Sequence, residues 1–169
     1  GESLPTLATI EIPESDITDA PDTACRDISY ADEEFKRRNR LGGFRVRAHH
    51  ALEHYITEEQ RKEHPDWIAE IEGKPHKFRL KWSHPEVSTA IADAIIAKLE
   101  KNYEPSISLS PEDGSSFEQI DDRAWDADDW DDTLSEMSIT DRYIKLCNLI
   151  APQVLKKFPD VRFGFLAYV

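Results

Sequence analysis

Val87, Ile91, Ile95 and Leu99 recur every four residues through "SHPEVSTAIADAIIAKLEKN". That spacing predicts a helix with one apolar stripe. Ser83 and Glu86 fit a capping box at its start, and Pro85 is tolerated in the first turn. A second stripe, Ile139, Tyr143, Leu146, Ile150 and Val154, predicts another amphipathic helix. Ser138 and Asp141 cap it, and Pro152 is expected to kink it or shift its end. Between these helices "SISLS" alternates small-polar and apolar positions, the pattern of a strand. Two alternating runs meet at Gly73 in "WIAEIEGKPHKFRL", which predicts a hairpin. "CRDISY" and "FRVRAHH" read as strands, and "VRFGFLAYV" as a strongly apolar one. "ADEEFKRRNRLGG" reads as a short helix capped by Asp32 and stopped by Gly42 or Gly43. "EEQRKEHPDW" is a helical turn interrupted by Pro65.

Strands alternating with helices imply an α/β fold built from parallel β/α units. The expectation is the first half of a TIM-type (β/α)8 barrel over residues 25–169, with a β-hairpin insertion. Residues 1–24 read as an extended arm in which "TIEIP" forms an edge strand. The closing strand lacks a covering helix, so the chain reads as a fragment, and its exposed barrel edge invites a homodimer.

Charge narrows the partners. The chain has 169 residues, 34 acidic against 21 basic, and a formal charge of −13. Such a field repels phosphate backbones and acidic bilayers, so neither nucleic acid nor a membrane is an expected partner. No apolar run approaches the length needed to span a bilayer. No signal peptide is visible, and Gly1 in place of Met points to a processed or trimmed chain. Cys25 and Cys147 share no metal or redox spacing and read as buried thiols.

In β/α barrels chemistry sits at the carboxyl ends of strands. After "SISLS" that position holds Glu112 and Asp113, and paired carboxylates can cleave glycosidic bonds as acid and base or as acid and nucleophile. Pro-Glu-Asp-Gly is also an ordinary turn sequence. Adjacent strand residues point oppositely, so only one carboxylate faces a site unless the turn redirects the other. After "FRVRAHH" come His49, His50, Glu53 and His54. His50, Glu53 and His54 match H-x-x-E-H, which on a helix would place two histidines on one zinc ion with Glu53 as base. A sugar-contacting or structural role for these histidines is the stronger reading. The loop "DDRAWDADDWDD" lacks calcium-loop spacing and reads as a flap, with Trp125 and Trp130 able to stack on sugar rings. Arg79 and Lys81 read as hairpin surface charge, with binding of a substrate carboxylate as the alternative. No metal or cofactor is implied.

Several stretches together resemble a known family. They are "TIEIPESDITDAPDTACRDISYADEEFKRRNRL", "HHALEHYI" with "EEQRKEHPDWIAEIEGKPH", "SHPEVSTAIADAIIAKLEKN" before "ISLSPEDG", and "DRYIKLCNLIAPQVLKKFPDVRFGFLAY". They look like the bacterial proteins of domain-of-unknown-function family 4838, which is similar to the α-glucuronidases of glycoside hydrolase family 67. The resemblance implies a partial (β/α)8 barrel from a secreted or cell-envelope protein that acts on polysaccharide-derived sugars, uronic acids among them. By position Asp113 and Gly114 match the family's Asp-Gly, one of His49, His50 or His54 its His, and Tyr168 its closing Tyr. Family members carry cysteines after the Asp-Gly, where this chain has "SSFEQIDD". The expected function is thus that of a glycoside-hydrolase-like protein, with this fragment inactive alone. The alternatives are a non-catalytic carbohydrate-binding or scaffold domain and, remotely, a zinc peptidase.

Overall fold

The computed structural model describes residues 8, 9, 11, 13, 14, 16, 18, 20, 22–28, 30–114, 117, 125, 130–133, 135–137 and 139–167. The expected "TIEIP" strand, the Ser138 cap and Tyr168 fall wholly or partly outside those residues. The chain divides into two compact units, Gly1–Phe44 and Arg45–Val169.

In the first unit, strand β1 (Cys25–Arg26) pairs antiparallel with β2 (Gly42–Gly43) around helix α1 (Glu33–Arg38). Asp32 caps α1 by accepting from the Phe35 amide at 2.7 Å. Acids open the helix and bases close it, as the helix dipole favours. The glycines do not stop it. It ends at Asn39, and Gly43 serves the ladder instead, since a Cβ there would overlap the Ala24 carbonyl oxygen. Cys25 is exposed rather than buried, and neither cysteine is in a disulfide.

The second unit carries the core. Helix α2 (Glu58–Glu63) is held by a capping box between Thr57 and Gln60 and gives way to a 3-10 turn at Pro65–Trp67. Strands β3 (Ile68–Ile71) and β4 (Lys74–Leu80) form the expected hairpin. Its two-residue turn, Glu72–Gly73, has positive φ at both positions, the twist that suits a tight hairpin.

Helix α3 (Pro85–Lys101) buries Val87, Ile91, Ile95 and Leu99, as the stripe predicts. Its cap is His84, one residue later than Ser83, and His84 Nδ1 accepts from the Glu86 amide at 3.3 Å. The residue before a proline is held extended, so it takes the cap position when proline opens the helix. Helix α4 (Ile139–Leu155) packs on α3 with Tyr143, Leu146, Ile150 and Val154 buried, and Pro152 falls within its last turn.

Strand β5 (Ser106–Ser108) pairs in parallel with β8 (Arg162–Gly164), while β6 (Trp130–Asp131) and β7 (Glu136–Met137) make a short antiparallel ribbon. Ile107 and Leu109 enter the core with α3 and α4. The alternate residues Ser106, Ser108 and Ser110 are also buried, and they receive the segment 45–50. This segment, expected as a strand, forms only a single parallel bridge, His50 to Ser110. Serine hydroxyls take the place of ladder partners. Ser106 Oγ accepts from the Arg47 amide at 2.9 Å, and Ser108 Oγ accepts from the His49 amide at 3.0 Å. The small face lets backbone approach closely: a Cβ on Gly164 would overlap Arg47 O and the Val46 side chain.

The described residues thus combine helices with four two-stranded sheets, a mixed α/β fold whose parallel ladder is β5–β8, and they close no barrel. None of the helices among them is long and apolar enough to cross a membrane.

Candidate functional site

The carboxyl end of β5 and the segment after His49 are bound together by backbone. The Ser110 carbonyl accepts from the amides of both Ala51 and Leu52 at 3.0 Å, which opens a 3-10 turn at Leu52–Tyr55. Tyr55 closes that turn onto the strand by donating its hydroxyl to Ser108 O at 2.9 Å. Burial, aided by Glu104 and opposed by Arg47, pushes the Tyr55 phenol up to about 12.

Two histidines then meet the two carboxylates. His50 Nε2 lies 3.3 Å from Asp113 Oδ1, and its Nδ1 lies 2.5 Å from Pro111 O. A carbonyl can only accept, so Nδ1 carries a proton in this arrangement. His54 Nε2 lies 2.7 Å from Glu112 Oε1. The strand has ended by Pro111, and the turn redirects neighbouring side chains, so both carboxylates reach histidines of one segment. Asp113 is the more open of the two, its side chain 72% exposed against 27% for Glu112.

Beneath the turn is a buried ion pair. Arg79 of β4 and Glu53 are 1% and 2% exposed, and Arg79 Nη1 lies 3.2 Å from Glu53 Oε1. The second Glu53 oxygen accepts from the Glu112 amide at 2.9 Å. Arg79 Nη2 donates to Asp113 O and to Gly114 O, each at 3.0 Å. The ring of Phe117 covers the guanidinium, its centroid 4.4 Å from Arg79 Cζ. Arg61 holds the turn below by donating to the carbonyls of Glu53, Ile56 and Phe78. Burial lowers the Arg61 pKa, against the opposing pull of Glu53 and Glu58.

Two open depressions flank His54. One, of about 390 Å³, is lined by His49, His50, Ala51, His54, Tyr55, Ala94 and Lys98. The other, of about 400 Å³, includes Glu53, His54, Thr57, Arg61, Phe78 and Glu112.

Of the residues expected from the sequence, His50 and His54 meet Asp113 and Glu112 at this turn, and His49 lies beside them with its amide on Ser108 Oγ. Trp125 is half-buried with Lys145 Nζ 4.7 Å from its ring centroid, and Trp130 is 54% exposed on β6. Tyr168 lies outside the described residues. Arg79 departs from the reading as hairpin surface charge, because it is buried and bound to Glu53. Its signal was a single base inside an apolar "FRL", matched by a single acid inside "ALEHYI". The helix required by the H-x-x-E-H reading is absent: His50 is in a bridge, Leu52–Tyr55 is a 3-10 turn, and Glu53 is committed to Arg79. Among the described residues, no group of three or more His, Cys, Asp or Glu is placed to hold a metal ion.

No curated protein and no solved structure matches the chain. One family does, over residues 1–169, and it is described as a domain of unknown function. The match spans the turn, the histidine segment and both core helices, and on it the chain belongs to the family DUF4838.

Proposed function

We propose that the chain is the early part of a (β/α)8-type, glycoside-hydrolase-like protein that acts on polysaccharide-derived sugars, uronic acids among them. The observation that carries this reading is the meeting of His50 with Asp113 and of His54 with Glu112 at the carboxyl end of β5. β/α folds keep their chemistry at that end of their strands. Two helices cover the opposite face of β5, as they do in such units. The sequence resemblance, which implies a likeness to the family 67 α-glucuronidases, points the same way.

In this account one of the two carboxyls, on Glu112 or Asp113, gives a proton to the departing glycosidic oxygen. The other, as a carboxylate, takes a proton from the attacking water, or attacks the anomeric carbon to form a glycosyl ester that water then cleaves as the first group takes up its proton. His54 and His50 orient the two groups and exchange protons with them. Trp130 offers an exposed indole face to a sugar ring.

The test is release of the aryl alcohol from neutral and uronic-acid aryl glycosides by the intact protein. Turnover of at least one class is expected. Glycan binding without any turnover overturns the enzymatic reading in favour of a carbohydrate-binding domain. That second reading needs only the exposed Trp130 indole as a sugar contact and no carboxyl chemistry.

A further inference from the structure

We propose that Glu53 and Arg79 are the positioning residues of this site, and that their buried ion pair sets where the Glu112 and Asp113 carboxyls face. The inference rests on the reading of the Pro111–Gly114 turn as the sugar-facing turn.

Burying two opposite charges is costly, and an apolar pair of similar volume commonly fills such a space at least as well. A need for packing therefore leaves this pair unexplained. Its contacts supply a reason. The two Glu53 oxygens are divided between Arg79 Nη1 and the Glu112 amide. The Arg79 fork is divided in turn between Glu53 and the carbonyls of Asp113 and Gly114. The pair thus grips three successive residues by their backbone and leaves both carboxyl groups to the histidines. A planar guanidinium suits this task because its donors keep a fixed spread, which a lysine ammonium lacks.

The mounting of the pair is consistent with that role. Arg79 projects from a strand of the hairpin, and Glu53 from a 3-10 turn whose backbone is held by Arg61 and Ser110. Gly114 completes the turn with φ +115°, a conformation other residues rarely adopt. A shift of the ion pair therefore moves the acid positions directly through their backbone, whereas it reaches α3 only through the packing of the 3-10 turn.

Hydrogen exchange of the intact protein tests this, read on the peptide covering Pro111–Gly114 and on peptides from α3 and α4. The wild-type turn should be protected at Glu112. Glu53→Leu/Arg79→Met fills the space without charge, and Arg79→Lys keeps the charge without the fork. In both, exchange at the turn should rise about tenfold, the loss of roughly one buried hydrogen bond, with a smaller change in α3 and α4. Turnover per folded molecule, with the folded fraction measured by circular dichroism, should fall in kcat with KM retained, whereas a loss of folded protein alone would leave that corrected kcat unchanged.

Unchanged turn exchange in either folded variant overturns the proposal, as does unprotected Glu112 in the wild-type protein, a measurement that needs no variant. Because exchange requires no substrate, a wild-type protein that turns over no glycoside counts against the sugar reading alone.

Discussion

His54 and Glu112 show how the site works at the scale of single residues. His54 is placed by its 3-10 turn and Glu112 by the bond from its amide to Glu53, and the contact between them follows. The same holds for Tyr55, whose hydroxyl is spent on Ser108 O. Its phenol has a folded pKa of about 12, against an ordinary value near 10. Because the folded pKa is raised, the stability it contributes is fully present below about pH 10 and is lost as pH climbs toward 12. Ultraviolet titration should show a tyrosine ionising near pH 12 that disappears in Tyr55→Phe. Ionisation of every tyrosine near pH 10 would contradict the placement of Tyr55. The acids and histidines were legible in the sequence because the end of a strand is a chemical address. The Arg79 pairing was not, because a lone base in "FRL" and a lone acid in "ALEHYI" hint at burial without naming a partner 26 positions away.

Periodicity decided how much was legible at the scale of elements. The stripes of α3 and α4 and the alternation of the hairpin each express burial of one face, so their patterns name them. The segment 45–50 alternates like a strand, yet its amides go to Ser106 and Ser108 hydroxyls rather than to a neighbouring ladder. Alternation reports an extended backbone, and it does not report the partner. The same face gives Gly164 its role. Gly164→Ala would push a methyl group into Arg47 O and Val46, so overpacking should destabilise the second unit by about 1–3 kcal/mol. Denaturant unfolding measures this directly. A midpoint equal to wild type would mean that the segment does not lie on the serine face.

Over the whole molecule the net charge is −13, with seven aspartates in the stretch 121–132, while four of the seven buried polar residues described in the second unit lie around one turn. Arg79, Glu53, Ser108 and Ser110 are all buried at or beside the exit of β5. Buried polar groups cost stability unless they are satisfied, so their gathering marks the place where the fold gives up packing to hold a geometry. That geometry presents Glu112 and Asp113 to the histidine segment, where we propose that these carboxyls perform glycosidic chemistry. The most direct measurement is kcat on the best aryl glycoside for Glu112→Gln and Asp113→Asn in the intact protein, with sugar binding followed by calorimetry. At least one substitution should lower kcat by about 10²–10⁴-fold, the range for a lost acid or base, while the sugar still binds. Turnover at the wild-type rate in both variants would contradict the claim.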